Sequence, residues 1–328
     1  MSRTRMRLSL LGILAAGILG MGLFAYARRG SDAGPLVLRA QRVERELPRA
    51  GRMRTLTQYQ GRQVVSVLDA AYGSGGRHRL AYRTPPLDGV LCIANPPHLW
   101  RLDPGRDLLE EDGCPAPEVE QPDPDLLLAN YDARLLGQGR VAGRRVNRVV
   151  MLRRHAPGIA RRLWLDQETG LPLRTEEYGA RGNLVASTEY LTVSFGPPQA
   201  ALFARPEAPG VRVAFAKQEQ SHAHGNSDDG PPRAALPRYV PTGYRQEHSR
   251  TFTCFCGCGQ PALHTCYEDG LESLSLFECS HETEQMSNSA VSSFGQDNVA
   301  SRVHQGHTFV AVGRVAPREL EQMLQSIP

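Results

Sequence analysis

The chain has 328 residues, of which 41% are hydrophobic and 22% charged, with 32 glycines, 24 prolines and few aromatics. That length can bury two cores of ordinary size, and the glycine and proline content favours short strands joined by turns over long helices. The formal charge of +4 falls to +1 once Arg3, Arg5 and Arg7 are set aside, which disfavours a nucleic-acid protein, and Lys217 as the sole lysine argues against phosphate-loop or Schiff-base chemistry.

Residues 8–27 carry no charge, follow the three arginines and end in Ala-Tyr-Ala before Arg28 and Arg29. A positive start, an apolar run and a small-x-small site describe a secretory signal peptide over 1–30. About twenty apolar residues also suffice to span a bilayer, so anchoring through residues 8–27 fits as well. Either arrangement places the remainder outside the cytoplasm.

The stretch LVLRAQRVERELPRA, from Leu36, is expected to form a helix or an arm across one face. After it come short runs bounded by turn residues: RTLTQYQ, QVVSVLDA, HRLAYRT, GVLCIA, RVNRVVMLR, RRLWLD, LPLRTEEY and LVASTEYLTVSF. Their length and punctuation predict an antiparallel sheet, open or curled into a partial barrel. The acidic stretch from Asp103 to Asp125 is interrupted by prolines and lacks calcium-loop spacing, so it is expected to be a solvated loop. Composition then shifts to proline, glycine and small polar residues, predicting a linker over 206–236 that contains the solvated pair His222 and His224. In 237–328, strands are expected at RTFTCFC, ALHTCYE, ESLSLFEC and TFVAVGRV. Leu320, Met323, Leu324 and Ile327 then give a terminal amphipathic helix behind Pro317.

Two segments resemble a known family. YDARLLGQGRVAGRRVNRVVMLRRHAPGIARRLWLDQETGLPLRTEEYGARGNLVASTEYLTVSF resembles the first domain of the RseB/MucB sigma-E regulatory proteins, whose fold is shared with the lipoprotein carrier LolA. CYEDGLESLSLFE and HTFVAVGRVAPRELEQMLQSI are similar to the second domain, in the same order, and HLWRLDPGRD resembles a turn of the carrier fold. The resemblance implies an α+β, mostly antiparallel protein: a LolA-like half-open β-barrel over 31–205, then a smaller β domain with a C-terminal helix. It further implies a non-catalytic periplasmic regulator that binds the periplasmic segment of a membrane anti-sigma factor and senses a lipid or lipoprotein. A lipid or lipoprotein carrier would share the first domain. A metal or thiol-redox protein using the Cys254–Cys279 cluster is a third class.

No nucleophile elbow, H-E-x-x-H or phosphate loop is present, and no cofactor or metal is expected. Arg144, Arg145 and Arg148 lie among eight arginines between Arg140 and Arg162 and read either as a solvated face or as an acceptor for anionic lipid or peptide. Trp100 and Trp164 read as core residues or as part of a lipid cleft.

Outside the cytoplasm cysteines pair. A Cys92–Cys114 bridge would close a loop of about twenty residues and contribute about 3 kcal/mol. With a turn centred near Gln260, Cys254 is expected opposite Cys266, leaving Cys258 or Cys256 for Cys279 and one cysteine over. Zinc held with His264 and Cys266, or an exposed redox thiol, remain the alternatives for this cluster.

Overall fold

Gly34, Val37 and Ala40 fall on one side of a helix, and Pro35 at its start costs no hydrogen bond, so helix α1 (Gly34–Glu46) forms with one buried stripe. This is the helix expected from Leu36 onward. The computed structural model describes residues 32–59, 62–113, 123–207, 209–215, 236–253, 261–279, 291–294 and 297–328. Residues 1–30, expected to be a signal peptide or anchor, lie outside them, and among the described residues no helix is long and apolar enough to cross a membrane.

Alternating apolar residues build the first sheet around α1. Its strands are β1 (Arg49–Tyr59), β2 (Arg62–Tyr72), β3 (His78–Tyr82), β4 (Leu91–Asn95), β5 (His98–Asp103) and β6 (Leu108–Gly113), then β7 (Tyr131–Val141), β8 (Arg144–Arg153), β9 (Ile159–Asp166), β10 (Pro172–Tyr178), β11 (Leu184–Phe195) and β12 (Arg212–Phe215). Their order is β12-β6-β5-β4-β3-β2-β1-β11-β10-β9-β8-β7. Every neighbouring pair is antiparallel except β12 with β6, and the end strands β12 and β7 do not pair with each other. The sheet is therefore a half-open barrel, as expected. Val37 and Ala40 pack on Val149, Met151 and Leu163, while Val43 and Leu47 reach the core of Met53, Leu68 and Tyr190.

Two assignments change. Within the stretch 206–236 expected to be a linker, Arg212–Phe215 joins the outer edge of β6 as a parallel strand. The acidic stretch is not a loop throughout: Leu108–Gly113 pairs with β5, and α2 (Pro124–Asn130) follows Asp123, whose carboxylate caps the helix by accepting from Asp125 N at 2.9 Å and Leu126 N at 3.1 Å.

The second sheet contains β13 (Arg245–Thr253), β14 (Pro261–Glu268), β15 (Ser273–Cys279), β16 (Val291–Phe294), β17 (Asp297–His304) and β18 (His307–Gly313), in the order β13-β14-β15-β18-β17-β16. The terminal helix α3 (Pro317–Gln325) lies across it, burying Leu320, Met323 and Leu324 against Leu274, Phe309 and Ala311.

The units meet where α2 runs into β7, against the turn 269–272 between β14 and β15. Asn130, only 6% exposed, donates to Gly243 O at 2.7 Å and to Asp269 O at 2.9 Å. The Tyr131 hydroxyl donates to Asp269 Oδ2 at 2.5 Å, and Asp269 Oδ1 accepts from Leu271 N and Glu272 N, which fixes the turn. Gly270 has φ +90°, and a Cβ there would stand 2.5 Å from Leu127 N, so only glycine permits this approach. Burial and then the Asp269 carboxylate push the Tyr131 phenol far above its ordinary range, so it stays a donor.

Asn130→Ala removes both donors and leaves two buried carbonyls unpaired, so we expect a loss of about 1–3 kcal/mol in urea unfolding. An unchanged midpoint would mean that this join carries no stability.

Candidate ligand cavity and the groove between the units

Where α1 ends, Arg49 fastens it to the sheet. Its guanidinium donates to Glu44 O and Leu47 O, both at 2.9 Å, and to the Tyr190 hydroxyl at 2.8 Å, and it lies 4.0 Å over the Tyr72 ring. The last carbonyls of the helix are thereby satisfied, and Arg49 is only 3% exposed. Beside this staple the sheet curls away from α1 and leaves a cavity of about 280 Å³. Met53, Leu68, Leu80 and Leu163 supply apolar wall, with Tyr72 and Tyr190 among the polar groups. Burial raises both phenols, Tyr72 to about 12, so they face the cavity as neutral hydroxyls.

Arg161 and Glu177 line the same cavity, and so does Leu271 from the second unit. Arg161 is loosely held: its contacts to Glu177, Glu272 and Leu271 O are 3.7, 3.6 and 3.5 Å, and its Nε has no partner among the described residues. Arg314 is tighter, bonding Glu177 directly and Glu272 at 3.3 Å. Burial raises the Glu272 carboxyl above its usual range, against the opposing pull of Arg161 and Arg314. A second hollow of about 380 Å³ lies between the units, with Tyr131, Arg153, Tyr239, Tyr244 and Arg318 on its walls.

The arginines singled out in sequence separate into two roles. Arg144 binds Asp166 through two nitrogens at 2.7 and 3.1 Å, reaches Glu168 at 2.7 Å and lies 4.8 Å over Phe195, so it is committed to the turn between β9 and β10. Arg145 and Arg148 are exposed, and the stem of Arg148 lies across β7, where Gly139 leaves room for it. Neither tryptophan lines the cavity. Trp100 is buried with Ile93, Leu109 and Phe203 and stacks on His98 at 5.2 Å. Trp164 is half-buried under the Arg174 guanidinium at 4.7 Å. Sequence reasoning saw Arg161 only as one of the eight clustered arginines and missed Leu271, because the cavity brings together residues from both units.

Cys92 is half-buried on β4, and burial raises its thiol; Cys114 lies outside the described residues, as do Cys254, Cys256 and Cys258. The register corrects the expected hairpin pairing. Thr253 pairs with Pro261 and His248 with Cys266, so His248 and not Cys254 lies opposite Cys266; Cys279 lies beside Ala262 and Thr308. From His248 to Thr253 each residue pairs six positions away from the partner expected around Gln260. Glu247, His248 and Cys266 bring ligand atoms within 4.8 Å of one another, one donor short of a closed zinc site. His264, the sequence candidate, instead stacks on Phe277 at 4.6 Å and bonds Ser275 at 3.0 Å.

Residues 109–211 match the family described as the MucB/RseB N-terminal domain. The sigma factor AlgU regulatory protein MucB of Pseudomonas aeruginosa is 33% identical over 122 residues, 37% of this chain and 38% of that protein. This part of the chain is similar to the MucB/RseB N-terminal domain. The aligned stretch thus spans well under half of the MucB sequence. Structures extend the likeness in fold to both units: MucB in complex with MucA(peri) superposes with a TM-score of 0.64 at 20% identity, covering 90% of this chain and 98% of that one. The Pseudomonas aeruginosa MucA/MucB complex gives 0.63, also at 20% identity, over 89% and 96%. MucB alone gives 0.53 over 90% and 96%, again at 20% identity. Within the segment matched to the MucB/RseB domain stand Arg161, Leu163, Glu177 and Tyr190 of the cavity wall.

Burial alone would raise the Asp166 carboxyl, but Arg144 and the Thr169 donors hold it below its usual range. A depressed folded pKa contributes stability that is present above the unfolded value and lost as pH falls through the folded one. Asp166→Asn should therefore lower stability at pH 7 by about 2 kcal/mol, with the gap to wild type closing below about pH 4. Denaturant midpoints across pH measure this, and a gap constant with pH would contradict it.

Proposed function

We propose that this chain is an exported, non-catalytic regulator that binds the periplasmic segment of a membrane-bound anti-sigma factor and responds to a lipid or lipoprotein in the cavity of its first unit. The observation that carries the reading is the 33% identical stretch shared with MucB, a protein named for regulating a sigma factor. Three further features support it. The fold follows MucB in complex with MucA(peri) through both units. The cavity combines apolar walls with neutral phenols and one poorly satisfied guanidinium, which suits an amphiphile better than a sugar or nucleotide. The outer edge of β7 carries exposed Arg140 and Leu136, with Arg145 and Arg148 beside them on β8, a surface that would attract an acidic segment.

Capture from the native envelope in mild detergent, with mass spectrometry of proteins and lipids, tests the reading. Recovery of a membrane protein that has a cytoplasmic sigma-binding domain is expected, whereas lipid alone would turn the assignment to a carrier. With that partner's periplasmic segment in hand, Arg145→Glu with Arg148→Glu should slow association by about tenfold at low salt and flatten its salt dependence. Association rates equal to wild type would remove the basic edge from the interface.

A further inference from the structure

The cavity is only partly a property of the first unit. Leu271 reaches across the join into its wall and packs on the core beneath α1, while Glu272 next to it faces Arg161. With Leu271 in place the space is about 280 Å³, just below the roughly 300 Å³ at which ligand pockets begin. Arg161 is the one cavity guanidinium without a close acceptor. Arg49 makes three hydrogen bonds of 2.8–2.9 Å, whereas every contact of Arg161 is 3.5 Å or longer and its buried Nε is unpaired among the described residues. A charge-assisted bond to a carboxylate or phosphate at 2.7–2.9 Å would replace a weak set with a strong one.

We propose that the turn 269–272 is a plug: an amphiphile with one acyl chain and an anionic head enters the cavity, its head takes Arg161 from Glu272, and its chain takes the volume of Leu271. Ligand occupancy and closure of the two units then exclude each other. This rests on reading the cavity as an amphiphile site, and adds how that site is coupled to the second unit. The coupling follows from the construction of the turn. Asp269 fixes Leu271 and Glu272 through its Oδ1 and joins Tyr131 through its Oδ2, so the turn cannot withdraw Leu271 and keep its grip on the first unit unchanged. Glu272 is also tied to Arg314 at 3.3 Å, so its loss from Arg161 leaves it a partner on its own unit.

Fluorescence titration of the full exported chain with a polyene fatty acid, and with the alcohol of the same chain length, tests the plug. Leu271→Ala and Gly270→Ala both open the turn, the second by setting a Cβ against Leu127. If the open form is about a tenth of the population, each should bind the acid about tenfold tighter than wild type, because apparent affinity scales with the competent fraction. Arg161→Gln should bring the acid down to the affinity of the alcohol. Saturating acid should raise the radius of gyration of the wild type by small-angle scattering. Equal acid binding by wild type and both variants, with no change in scattering, overturns the plug and leaves the amphiphile site standing. Binding of neither probe by any folded variant removes both. Should Gly270→Ala fail to fold, Leu271→Ala alone decides between the first two results.

Discussion

Asp269 is the side chain on which the arrangement of the two units depends. Its two carboxylate oxygens serve different masters: one holds the backbone of its own turn, the other accepts the buried Tyr131 hydroxyl of the first unit. Its main-chain oxygen takes the Asn130 amide. A buried carboxylate is tolerable only when its oxygens are paired, so each of these bonds is required by the others. Gly270 then lets the turn lie against α2 more closely than any side chain would allow.

From that join outward, the chain uses guanidinium groups as fasteners. Arg49 holds the end of α1 to β11, Arg144 holds the turn after β9, and Arg314 ties the strand end of the second unit to Glu177 of the first. Their planar forks satisfy carbonyls and carboxylates two at a time, which a lysine cannot do. The same residue type is therefore structural at Arg144, one of the positions where sequence alone offers it as a binding group. The distinction lies in how well each fork is satisfied.

The layers and most of the strands were legible because they follow from period: alternation in β2 and β15, and the one-sided stripe in α3, need no tertiary context. The resemblance to the MucB/RseB N-terminal domain was legible from the segment that begins at Tyr131. What failed was decided by partners far away in the chain. Arg212–Phe215 is too short and too exposed to announce a strand, and becomes one only because β6 offers an open edge. Leu108–Gly113 is acidic in three of its six residues, yet its two leucines are buried, and the charges masked them. The cysteine register was misjudged because a hairpin's register is set by its turn geometry, and a shift of six residues in pairing leaves no mark in the strand sequences. Arg161 and Leu271 stand more than a hundred residues apart, and no local pattern could join them.

A chain with a single lysine also has a one-sided response to acidity. Among the described residues every ion pair has arginine or histidine as its cation, and guanidinium keeps its charge at any pH a cell meets. Alkali therefore has little to unfasten. Acid does, but late, because Asp166, paired with Arg144, and Asp69, paired with Arg52 and Arg83, are held below their ordinary range. Glu272 is the exception among the acids at the join, raised instead by its burial. As pH falls it takes a proton before those fasteners loosen, so the contact between the units feels an acidified surrounding ahead of them.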